Sequence, residues 1–221
     1  MFKSLKVSKN TKLNRGFTLI EMIIVVAMIA IIAAISISQF VKNKQNSTVQ
    51  NIAEELALNI RRAQSLALAV QPTGTGLGSF QNGYGIYLDL NKSNSYDLFV
   101  DFESTPGTGG WDHAYKNNTT GCGSPSITNH ECLEKISFTS ADFIESLELC
   151  NTTCTTLDSS NPLAITFLRP NLDAYFCTTS YSNGGCSSST PAGYVKINVS
   201  SPSNEKVKTV LVWSTGQISI E

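Results

Sequence analysis

The segment Asn14–Phe40, NRGFTLIEMIIVVAMIAIIAAISISQF, decides how the rest of the chain is read. From Phe17 to Val41 the run is predominantly apolar for 25 residues and holds one charge, Glu21. As a helix rising 1.5 Å per residue it would measure about 37 Å, and a bilayer core needs about 30 Å. The run is long enough to span. A secretory signal peptide would pair a shorter apolar core with a small-residue cleavage site, and no Ala-x-Ala site closes this run. Lys3, Lys6, Lys9, Lys12 and Arg15 precede it with no acid among them. That asymmetry predicts a cytoplasmic amino terminus and places everything after Lys42 outside. Glu21 is the anomaly. A charged group in a membrane helix costs roughly 2.5–3.5 kcal/mol on insertion scales. The cost is tolerable near the helix end and is reversed when a cation meets the carboxylate. The plainer alternative is snorkelling to the headgroups.

The junction GFTLIE, Gly16–Glu21, gives the segment a second reading. A basic leader, Gly16, then FTLIE and a long apolar helix resemble the start of type IV prepilins and type II secretion pseudopilins. The resemblance covers residues 12–41 closely. It implies that residues 1–16 are a leader cut after Gly16 by a prepilin peptidase. Phe17 would become an N-methylated amino terminus, and Glu21 would meet the terminal amine of a neighbouring subunit during assembly. It also implies partners: other pilin or pseudopilin subunits, an inner-membrane assembly platform and membrane lipid. Two positions depart from the pattern of major pilins, which often carry glycine and proline where this chain has Ala30 and Ser38. Alanine favours helix, and serine keeps its backbone donor. A stiffer helix is therefore expected, which puts the role of bulk filament subunit in doubt.

The helix is expected to continue to Gln71. Val49, Ile52, Ala53, Leu56, Ile60, Ala63, Ala67 and Val70 recur at spacings of three and four, one apolar stripe. Pro72 and Gly74, Gly76 and Gly78 would end it. The boundaries read as 1–16 leader, 17–41 membrane part, 42–71 amphipathic part and 72–221 head. Ile52–Ala69 resembles the matching helix of GspH/FimT minor pilins more loosely. The head reads as β-rich, with strands expected at Tyr84–Leu90, Tyr96–Phe102, Ile136–Thr139, Leu163–Leu168, Ala174–Cys177, Tyr194–Val199, Lys206–Trp213 and Gln217–Ile220. The last two look like a closing hairpin about Ser214–Gly216, as in GspH-like heads. The FLRPNLD run matches their Phe-x-Pro-x-Gly-like turn in part, with Leu172 where glycine is expected. The fold class is α+β: a long amino-terminal helix packed on a β-rich head, the pilin layout.

All six cysteines, Cys122, Cys132, Cys150, Cys154, Cys177 and Cys186, fall in the head. An even number in an exported domain suggests disulfides, with fifteen possible connectivities. Neighbour pairing is the simplest. Zinc is the alternative, weakened by the absence of Cys-x-x-Cys and by having only His113 and His130.

Formal charge is −1 overall, but the chain outside residues 1–16 holds 11 basic and 17 acidic residues, or −6. That sign argues against nucleic-acid binding, which draws on Lys and Arg. Lys196, Lys206 and Lys208 are the local exception. GTGLG, Gly74–Gly78, follows a helix and lacks the Lys-Ser/Thr of a phosphate loop. No nucleophile motif accompanies the two histidines, so neither enzyme activity nor a cofactor is expected. Asp97, Asp101 and Glu103 could gather calcium, but a solvated face is the favoured reading. Trp111 and Tyr115 suit either an exposed adhesive loop or packing under a long loop. The sequons at Asn118 and Asn198 are at chance frequency for so Asn/Ser/Thr-rich a chain.

The reading that results is a structural minor pilin or pseudopilin of the GspH/FimT kind, held in the inner membrane and then assembled into a pilus or secretion pseudopilus. A major pilin is one alternative, and a DNA-capturing minor pilin is another.

Overall fold

The computed structural model describes residues 16–69, 82–102, 112–116, 122–123, 125, 131–178, 186 and 193–221, with the side chains of 38, 41 and 42 excepted. Helix α1 runs Leu19–Leu68. The chain divides into two units, 1–43 and 44–221.

In the first unit, Leu19–Ile37 has a mean hydropathy of 2.8 and none of it is buried. Large apolar side chains point outward all round, with Leu19 79 % and Val25 44 % exposed. A helix that is apolar on every side suits lipid or the interior of an assembly. Ser36 Oγ donates to the Ile32 carbonyl at 2.8 Å, so its hydroxyl is satisfied within the helix.

In the second unit the predicted stripe is the core face. Val49, Ile52, Ala53, Leu56, Ile60, Ala63 and Ala67 are buried, joined by Ala57. Val70 lies outside the described residues. The stripe shares one hydrophobic cluster with two five-stranded antiparallel sheets. The first has the order β3(Cys132–Ser137), β2(Ser95–Asp101), β1(Gly83–Leu88), β6(Leu163–Phe167), β7(Ala174–Cys177). The second has the order β10(Ile218–Ile220), β9(Val207–Trp213), β8(Tyr194–Ser200), β4(Phe143–Cys150), β5(Cys154–Leu157).

The sheets differ in how they meet water. β8 alternates: Val195, Ile197 and Val199 are buried, while Tyr194, Lys196 and Asn198 are half-exposed, so one face packs and the other is wet. Every residue of β2 and β6 is buried, so the first sheet is covered on both faces. Its second cover comes from residues 112–116. Ala114 and Tyr115 form a second buried cluster with Phe99, Cys132, Ala164 and Cys177.

This cover overturns one expectation. Asp97 and Asp101 do not form a solvated face: they are 8 % and 0 % exposed. Alternation along β2 puts Asp97, Phe99 and Asp101 on one face, and the 112–116 segment lies on it. Glu103 lies outside the described residues. Tyr115 packs inward rather than forming an adhesive surface, being buried between Tyr87 and Phe99 with ring centroids 4.3 and 5.2 Å away. Trp111 lies outside the described residues.

Two strands were absent from the sequence reading, β4 and β5. In FIESLELC the acids Glu145 and Glu148 break the apolar pattern, and register pairing with β8 is what holds the strand. β5, CTTL, is a mostly exposed edge. The closing hairpin forms about Ser214–Gly216: Trp213 and Gln217 pair across it at 2.8 Å, and Gly216 takes φ 82°, where a side chain would be strained. Gln64 Nε2 donates to the Gly216 carbonyl at 2.6 Å, tying α1 to that turn.

Candidate processing and assembly site

Gly16, Phe17 and Thr18 precede α1 in non-helical backbone. Phe17 is 77 % exposed, and a Cβ built on Gly16 would meet nothing within 4 Å among the described residues. Gly16 and Phe17 are thus both exposed in non-helical backbone just ahead of the helix.

The helix starts where it does because Thr18 caps it. Thr18 Oγ1 accepts the Glu21 amide N–H at 3.3 Å, and its carbonyl accepts the Met22 amide N–H at 3.2 Å. Thr18-x-x-Glu21 has the spacing of a capping box. Glu21 also lies in the first turn, where the helix dipole favours a carboxylate. Sequence reasoning missed Thr18. Its signal was the Ser/Thr-x-x-Glu spacing immediately before an apolar run. The carboxylate consequently has a physical reason for its position within the chain, helix initiation.

The six cysteines lie in three disulfides: Cys122–Cys132, Cys150–Cys154 and Cys177–Cys186, with Cα separations of 4.8, 4.0 and 5.5 Å. Cys150–Cys154 closes the β4–β5 hairpin at a directly paired position. The other two flank the 112–116 cover at Cys132 and Cys177. Among the described residues, the two groups at metal-ligand distance each include two of these bonded sulfurs, Asp97 with Cys122 and Cys132, and Glu148 with Cys150 and Cys154. Sulfur in a disulfide is no thiolate donor, so neither group suits zinc.

Lys196 and Lys208 do not make one basic patch. Lys196 pairs opposite Leu211 and Lys208 opposite Val199, so the pleat sends them to opposite faces of the second sheet. Lys196 also meets Glu148 at 3.9 Å.

The prokaryotic N-terminal methylation motif matches residues 11–37. Comparison with curated proteins and with solved structures returns no match. The matched stretch contains the Gly16–Phe17 junction, the Thr18 cap, Glu21 and the apolar helix as far as Ile37, and so the chain carries a type IV prepilin-like leader motif ahead of an α+β, pilin-like body.

Proposed function

We propose that this protein is a structural subunit, a minor pilin or pseudopilin of the GspH/FimT kind, processed by a prepilin peptidase between Gly16 and Phe17 and N-methylated on Phe17. In this proposal residues 1–16 are removed, 17–41 hold the chain in the inner membrane, 42–71 extend the helix, and 72–221 form the exported head. Assembly into a pilus or secretion pseudopilus runs through the helix, with Glu21 meeting the Phe17 amine of a neighbouring subunit. The observation that carries the reading is the methylation motif at residues 11–37, whose helical part, Leu19–Ile37, is apolar and exposed on every side. Removing the leader frees an amine at Phe17, and a buried amine and carboxylate attract far more strongly in a low-dielectric core than in water. The opposed directions of Lys196 and Lys208 and the acidic body favour this over DNA capture.

The test separates helix initiation from charge pairing. Glu21→Gln keeps a residue able to complete the capping box but removes the charge, and Glu21→Ala removes both. Both variants should insert, since the helix becomes more apolar, and both should be cut to a Phe17 terminus by mass spectrometry. Both should be depleted from the sheared-filament fraction. Normal filament recovery of Glu21→Gln would sink the pairing role, and an intact Met1 terminus on assembled wild-type protein would sink the processing assignment.

A further inference from the structure

The first sheet uses three carboxylates on a single short segment. Asp97 Oδ2 accepts from Tyr115 Oη at 3.0 Å. Asp101 Oδ2 faces His113 Nδ1 at 3.5 Å. Glu131, immediately before β3, accepts from the Lys116 amide at 2.7 Å, and its own amide donates to the Lys116 carbonyl at 3.0 Å. His113 stacks on Tyr175 of β7 with ring centroids 4.5 Å apart, and the Cys186 amide donates to the Asp112 carbonyl at 2.9 Å. Residues 112–116 are therefore a strap across the sheet, fastened at His113, Tyr115 and Lys116 by acids and at Asp112 by the Cys177–Cys186 loop.

The fastening acids are deeply buried. Asp101 is 0 % exposed, Glu131 is 4 % exposed, and among the described residues neither Asp101 oxygen has a hydrogen-bond partner. An ionised carboxylate in such a place is costly, and more so with others nearby. Glu131 faces Asp101 from β2 and Asp112 from the strap, besides the backbone donors of Lys116 and Phe102. Asp101 faces His113 and Asp112. Asp97 faces Tyr115 on the strap, Lys135 on β3, and Lys92 and Asp89 in the β1–β2 connection. Three acids, Asp101, Asp112 and Glu131, thus face one another across the strap, and the basic side chains that face Asp112 are His113 and the half-exposed Lys116.

We propose that residues 112–116 are a proton-locked strap: closed over the first sheet while the Asp101 and Glu131 carboxyls hold their protons, and released from it as those groups ionise. Burial pushes Asp101 from its ordinary 3.8 up to about 6, and Glu131 from 4.5 up to about 9. Both shifts have the same sign. The closed form holds protons that the open form releases, so closing is favoured at low pH and weakens as pH rises. The Asp101 contribution is lost from about pH 4 to about pH 6 and the Glu131 contribution continues to about pH 9. If opening returns Asp101 to its ordinary value, that group alone changes the closing constant by about 10²-fold.

The test is amide hydrogen exchange on the full chain in detergent micelles between about pH 5 and pH 9, corrected for intrinsic exchange. Protection of the Ala114, Lys116, Glu131 and Cys186 amides should fall with pH relative to Val195–Val199 of β8 in the same molecule, by tenfold or more. Asp101→Asn should flatten the lower part of that fall and Glu131→Gln the upper part, because each amide mimics the protonated acid. A wild-type ratio constant with pH overturns the proposal whether or not a variant folds. So does a fall retained in full by a variant whose β8 amides remain protected. Recovery of protection at high pH on adding excess calcium chloride would assign neutralisation to a cation, and would overturn the proton reading too.

Discussion

Gly85 lies in the middle of β1, opposite Phe99 on β2 and Thr166 on β6, under the strap. Substituting alanine would put a Cβ against the Ile165 carbonyl and 2.7 Å from two atoms of the Phe99 ring. The carbonyl belongs to the β1–β6 pairing and cannot retreat without cost, so the ring must move. Phe99 is fully buried and packs on Tyr115. Overpacking of this kind costs about 1–3 kcal/mol when the surroundings absorb it. Should the ring instead be expelled, a Phe burying ~150–250 Å² forfeits up to about 4–6 kcal/mol at ~25 cal/mol per Å². Gly85→Ala is therefore expected to destabilise the head by at least about 1–3 kcal/mol, read from urea unfolding of the full chain in detergent by the β-sheet circular dichroism signal. Gly193→Ala is the control. Among the described residues its Cβ would find only the Cys150 carbonyl at 3.6 Å, so a change within about 0.5 kcal/mol is expected. Equal midpoints for Gly85→Ala and wild type would refute the close packing of Phe99 over β1, and with it the account of the second buried cluster.

Two further outcomes follow from the same face and its tethers. Thr166 is 0 % exposed and its Oγ1 has no hydrogen-bond partner among the described residues, so Thr166→Val should stabilise the head by about 1 kcal/mol. A loss of that size in urea unfolding would mean that the hydroxyl is satisfied after all. Replacing Cys177 and Cys186 together by serine opens a loop of sequence separation 9 and should cost ~2.6 kcal/mol by the chain-entropy relation. Opening the Cys150–Cys154 loop, separation 4, should cost ~1.9 kcal/mol, and a reversed order would show that loop closure does not set the difference.

The amino-terminal third was legible in the sequence because its determinants are local. The apolar run of spanning length lies in one unbroken stretch, and the stripe from Val49 to Ala67 depends on residues three or four apart. The structure adds only Ala57 to the stripe and Thr18 as the cap. Strands with a local apolar signature, the alternation of β8 and the Val210–Trp213 run of β9, were equally legible. β4 was not, since its acids mask the alternation and its pairing with β8 joins residues about fifty apart. β5 was not, since it is a short polar edge held by its neighbour. Asp97 and Asp101 were misjudged for the same reason at larger scale. A carboxylate on a strand looks solvated from its neighbours in sequence. Only the tertiary structure brings Tyr115, His113 and Glu131 to them, because burial depends on which distant segment lies on the face, and local pattern carries no record of that.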